Sequence, residues 1–141
     1  MRVCVIDGRG GGLGSRLVAA LHADLADSHQ VIGLGTNAVA ASAMREAGAA
    51  EIGAGSRAML EILPTVDVIL TSLSLLVPTT MPGEVTPGMI RAIIGSRAKK
   101  VLLPINRAHV EVVGTETLKL EHLILRSIDR VKALLDAGSI A

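Results

Sequence analysis

The sequence predicts a three-layer α/β fold in which a doubly wound parallel sheet of about five strands has order 3-2-1-4-5. Three observations carry this. Short β-rich apolar runs alternate with helix-periodic segments along the chain, the pattern of parallel strands joined by helical crossovers. Five of the chain's 15 glycines fall between Gly8 and Gly14, directly between the first strand pattern and the first helix pattern. At 141 residues the chain fits one ordinary domain. Residues 1–141 therefore read as a single Rossmann-like nucleotide-binding domain. Right-handed crossovers make the stated order the natural one, with a crevice opening where the chain reverses direction, between strands 1 and 4.

The elements follow in order. Val3 to Ile6 is the first strand, and Leu13, Leu17, Leu21 and Leu25 then recur every four residues as one buried helical stripe. A second strand covers about Gln30 to Leu34, after which Thr36 or Asn37 can cap an Ala-rich helix that stops near Gly48. Glu51-Ile52 marks a short third strand, and Ser56 is the expected cap of the helix that ends before Pro64. Val66 to Leu70 is continuously apolar, as expected of a strand covered on both faces. A long connection from about Thr71 to Val85 leads to Thr86-Pro87, a cap-then-proline helix start. Lys100 to Leu103 is the fifth strand, Val110 to Val113 a further β-like stretch, and Leu120, Ile124, Val131 and Leu135 share one face of the last helix.

The glycine cluster is the chemically informative segment. A tight strand-to-helix turn needs positive φ angles, and phosphate approaches a backbone closely only where no Cβ intervenes. The amides at the helix start would face an anion along the positive end of the helix dipole. Asp7, Gly8, Arg9, Gly10, Gly11, Gly12, Leu13 and Gly14 are accordingly the expected binding loop. The spacing Gly8-x-x-x-Gly12-x-Gly14 is similar to the loop of short-chain dehydrogenases. A Walker-type loop is disfavoured because Ser15 and Arg16 stand where its lysine belongs. The second strand ends in Gly35, Thr36 and Asn37, without the acid that holds the ribose in NAD-specific domains. NADP is thus at least as plausible as NAD, with Thr36 and Asn37 near the 2′ position and Arg9 as a phosphate partner or a solvated loop residue.

Composition excludes several classes. With 14 basic and 13 acidic residues and no Phe, Tyr or Trp, the chain lacks both the charge and the stacking platforms of a nucleic-acid binder. No tyrosine also means no Tyr-x-x-x-Lys catalytic pair. No apolar run approaches the roughly 20 residues of a membrane span, and the opening residues lack a signal-peptide pattern, so a cytoplasmic location is expected. A single cysteine, Cys4, reads as a small buried strand residue. Half of the residues are apolar, more than so small a core hides, which points to a homo-oligomer.

The segments VIDGRGGGLG, GLGTNAVAASAMREAGA, MPGEVTP and VLLPINRAHVEVVG together resemble a small bacterial family, domain of unknown function 3842. The resemblance implies a Rossmann-like nucleotide-binding fold and supplies no reaction. Around the expected crevice, Asp7 can order the loop amides or bind a metal. Glu84 can act as general base or cap the helix at Pro87, while Asn106, Arg107 and His109 follow the fifth strand. Two functions are then open. One is an NAD(P)-type dinucleotide held at the glycine loop in a sensing or subunit role; the other is a minimal NAD(P)-dependent oxidoreductase with Glu84 or His109 as its acid–base group.

Overall fold

The computed structural model describes residues 1–77, 83–105 and 110–138. Strands β1 (Arg2–Asp7), β2 (Gln30–Gly35), β3 (Glu51–Ala54), β4 (Val68–Ser72) and β5 (Lys99–Leu103) alternate with helices α1 (Gly12–Leu25), α2 (Ala38–Glu46), α3 (Gly55–Ile62) and α4 (Pro87–Ile94), and α5 (Leu120–Asp136) follows. All four strand pairings are parallel and the order is β3-β2-β1-β4-β5. This is the expected doubly wound sheet.

Residue alternation along β1 divides the core into two layers. Val3 and Val5 join Leu17, Leu21, Met44, Ile128 and Val131 on the α1, α2 and α5 side. Cys4 and Ile6 join Met59, Leu63, Met89 and Ile93 on the α3 and α4 side. With no aromatic rings, both layers are filled by branched aliphatics and methionine. The Cys4 thiol, fully buried in the central strand, has its pKa pushed up by loss of solvation. It is an inert packing group. Among the described residues no helix is long and apolar enough to cross a membrane.

Local chemistry explains most boundaries. Asn37 caps α2, its side chain accepting from the Ala40 N–H at 2.8 Å. Thr86 caps α4 through the Met89 N–H at 3.1 Å, with Pro87 in the first turn. Two expectations differ. Ser56 lies inside α3, whose preceding residue Ala54 offers no side-chain cap, so the backbone alone makes that entry. The β-like Val110 to Val113 run is not a strand: Thr115 donates back to the Val112 carbonyl and Gly114 takes φ 93°, closing a tight turn that no neighbouring strand could pair with.

Met44 of α2 acts as a wedge between two glycines. A Cβ on Gly33 of β2 would come within 2.7 Å of the Met44 Cβ, and one on Gly14 of α1 within 2.9 Å of its sulfur. Interiors packed to this density do not absorb an added methyl without strain. Gly33→Ala is expected to cost about 1–3 kcal/mol in urea unfolding. Combined with Met44→Gly, which removes the Cβ that the new methyl would strike, it should cost clearly less than the sum of the two single changes; strict additivity would mean that they do not compete for the same space.

Candidate functional site

The site lies at the carboxyl ends of β1 and β4, the point where the strand order reverses. There a cavity of about 160 Å³ is lined by Asp7, Gly8, Arg9, Gly12, Leu13, Ser72, Ser74 and Ile105. Asp7 ends β1 and turns its carboxylate onto the loop that follows. One oxygen accepts from the Gly8 N–H at 2.8 Å and the other from the Gly14 N–H at 2.6 Å. Of the two roles the sequence left open for Asp7, loop ordering is the one these bonds describe. Gly14 must be glycine for this to happen, because a Cβ there would lie 2.7 Å from the Asp7 Cβ.

The loop between them is held from several sides. Gly11 adopts φ 74° as the residue before α1, and a Cβ on it would meet the Ala40 backbone at 2.9 Å. Arg9 has φ 52°, a left-handed conformation costly for a side-chain-bearing residue. Its peptide groups are clamped: the N–H donates to Glu84 Oε1 at 2.5 Å, and the carbonyl accepts from Asn37 Nδ2 at 3.0 Å. Gly10 and Gly12 differ from their neighbours, since a Cβ on either would meet nothing within 4 Å.

Across the crevice, β4 contributes hydroxyls. Thr71 Oγ1 donates to the Ile6 carbonyl at 2.7 Å, fastening β4 to β1. Ser72 and Ser74 share a hydrogen bond of 2.8 Å between their Oγ atoms, and Ser72 also accepts from the Leu75 N–H as it turns the chain away from the sheet. Both serines line the cavity, and sequence reasoning passed over them. The signal was a run of hydroxyl residues, Thr71-Ser72-Leu73-Ser74, at the end of the strand that begins the chain reversal.

Glu84 is not the helix cap considered above. Thr86 caps α4 instead, while Glu84 Oε1 collects three donors: the Arg9 N–H, Thr36 Oγ1 at 2.8 Å and Asn37 Nδ2 at 2.5 Å. Burial works to raise its pKa, but those hydrogen bonds and the Arg9 charge outweigh it and hold the carboxyl below its ordinary range. A carboxylate so stabilised is a poor proton acceptor near neutrality. Gly35 is a packing position, where a Cβ would lie 2.4 Å from the Asn37 carbonyl oxygen. Asn106, Arg107 and His109 lie outside the described residues. Among the described residues no cluster of three metal-ligating side chains occurs.

With this geometry in place, comparison with known proteins gives a family and a neighbour. Residues 2–136 match the family described as Domain of unknown function (DUF3842), and the chain belongs to it. No curated protein matches the chain in sequence. A similar solved structure is the dodecameric FMN-dependent Ubix-like decarboxylase from Escherichia coli O157:H7, 14% identical over 100% of this chain and 96% of that one, with a TM-score of 0.46.

The expectation of NADP or NAD, in a sensing or subunit role or in a minimal oxidoreductase, is corrected by the bonding within the site itself. Within this chain, Thr36 and Asn37, the residues assigned to the 2′ position, are already bonded to Glu84. A 2′-phosphate there would confront a carboxylate of the same sign.

Because its folded pKa is lowered, Glu84 stabilises the protein above the ordinary glutamate value of 4.5, and this contribution is lost as the pH falls through the lower folded value. Glu84→Gln should therefore lower Tm slightly at neutral pH, by under about 1 kcal/mol equivalent at this partly exposed position. The difference from the wild type should vanish in acid. A gap that persists unchanged below the glutamate range would show that the carboxylate charge plays no part.

Proposed function

We propose that this member of the DUF3842 family binds a small phosphate monoester, of metabolite or mononucleotide size, with its phosphoryl group in the crevice between β1 and β4. The chain would act in the cytoplasm. The observation that carries the reading is the contrast among the loop glycines. Gly11 and Gly14 are required by the protein's own packing, whereas Gly10 and Gly12 face open space and are not required by any contact. Glycine where the protein does not need it is what a ligand's close approach demands.

The donors agree. Gly12 and Leu13 are the first residues of α1, and their N–H groups have no partner among the described residues. Unpaired amides at the positive end of a 14-residue helix favour an oxyanion. The Ser72 and Ser74 hydroxyls line the opposite wall, where their shared hydrogen bond keeps this wall polar. Arg9 is the single cationic side chain lining the cavity among the described residues. Its strained backbone supports a functional role, since glycine would occupy that conformation at lower cost. Asp7 spends both carboxylate oxygens on loop amides, which reduces its repulsion of an incoming anion.

Thermal shift and isothermal titration with inorganic phosphate, AMP, FMN and NADP test the reading. Phosphate and the monoesters should stabilise the chain, with FMN distinguishing a flavin from a general monoester preference. Gly12→Ala should leave Tm unchanged or slightly higher, by up to about 1 kcal/mol, yet weaken monoester binding at least about tenfold, or about 1.4 kcal/mol. A Gly12→Ala protein that binds as tightly as the wild type, or a wild type that ignores every phosphate in the panel, would defeat the proposal.

A further inference from the structure

Two surfaces remain unaccounted for by the crevice, and they sit at opposite ends of the sheet. The first is a groove of about 490 Å³ between the carboxyl ends of α3 and α4, just before β4 and β5 begin. Its floor is apolar, with Met59, Leu60, Leu63 and Ala92, and its rim carries Arg91 and Arg97. Leu60 is 65% exposed, and neither arginine has an acidic partner among the described residues.

The second is the turn that follows β5. Val113 at its tip is 92% exposed, more than any other large apolar residue described. Local bonds shape the turn that presents it: Thr115 donates to the Val112 carbonyl through both its N–H and its hydroxyl, and the Gly114 N–H donates to Glu116 Oε2 at 3.1 Å. Glu111 and Glu116 are both exposed and flank the valine. Thr115 borders a hollow shared with Leu13 at the start of α1, so this turn lies at the carboxyl edge of the sheet. An apolar knob between two acids and an apolar groove between two bases are complementary, but too far apart in one chain to meet.

We propose that the Val113 turn of one copy seats in the α3–α4 groove of the next, with Glu111 and Glu116 facing Arg91 and Arg97. The occupant is a second copy of this chain because the same molecule carries the groove's complement in both shape and charge. Since the two surfaces differ, the contact is heterologous and builds a ring if the rotation closes, a filament if it does not. This gives definite surfaces to the self-association expected from composition, and it does not depend on the proposed ligand.

Light scattering and sedimentation of the full chain decide it. The wild type should exceed monomer mass, and Val113→Asp or Leu60→Asp, both at exposed positions, should each return it to monomer with an unchanged far-UV spectrum. An equimolar mixture of these two variants should form a species of two chains and no larger, because each keeps the half that the other has lost. Arg91→Glu should weaken association at least about tenfold, with partial recovery in Arg91→Glu combined with Glu116→Arg. A wild type that is monomeric throughout the micromolar range overturns the proposal. So does association that survives both Asp substitutions, a mixture that stays monomeric, or a groove that binds a small amphiphilic anion such as laurate while the chains remain single.

Discussion

The bridge from the Asp7 carboxylate to the amides of Gly8 and Gly14 is the contact on which the rest of the site depends. It joins the last residue of the central strand to the first turn of the first helix, across a loop with two residues of positive φ. A carboxylate accepting two backbone N–H groups is a strong, charge-assisted anchor. It fixes where α1 begins, and so where the free amides of Gly12 and Leu13 stand. The Met44 wedge completes the arrangement from below by pressing α2 against both Gly14 and Gly33. Strand, loop and two helices are thus locked by one ionic contact and one apolar one.

Around that anchor the protein has built its own counter-ion. Glu84 reaches over from the segment before α4 to bond Arg9, Thr36 and Asn37, holding the strained Arg9 peptide in place. Thr36 and Asn37 had suggested a dinucleotide because, taken alone, they are good donors for a phosphate. In the folded chain they are donors already in use. What remains is the opposite wall, where the hydroxyls of Ser72 and Ser74 line the cavity together with Gly12 and Leu13 at the start of α1.

The fold was legible because each of its determinants is local. The strand runs, the four-residue leucine stripe and the cap-then-proline at Thr86-Pro87 specify elements through neighbours only a few residues away, and crossover handedness then orders the strands. The misreadings have one cause. Val110 to Val113 has the composition of a strand, but only the position of other strands decides whether it can pair, and Gly114 closes it into a turn. Glu84 carries no sequence signal for its partners, which lie 75, 48 and 47 residues away. The loop glycines were visible as a cluster, yet which serve packing and which leave space open could be told only once Ala40, Met44 and Asp7 had been placed around them.

Cys4 has a consequence of its own. It is the one thiol in the chain, and it sits at 0% exposure in the middle of a strand flanked on both sides by β2 and β4. Fraying of an edge strand or of α5 on the opposite face does not uncover it, whereas opening of the α3–α4 layer that covers it does. The sulfur is therefore a built-in clock for the opening of that layer, readable through its capture by an alkylating reagent without introducing any label.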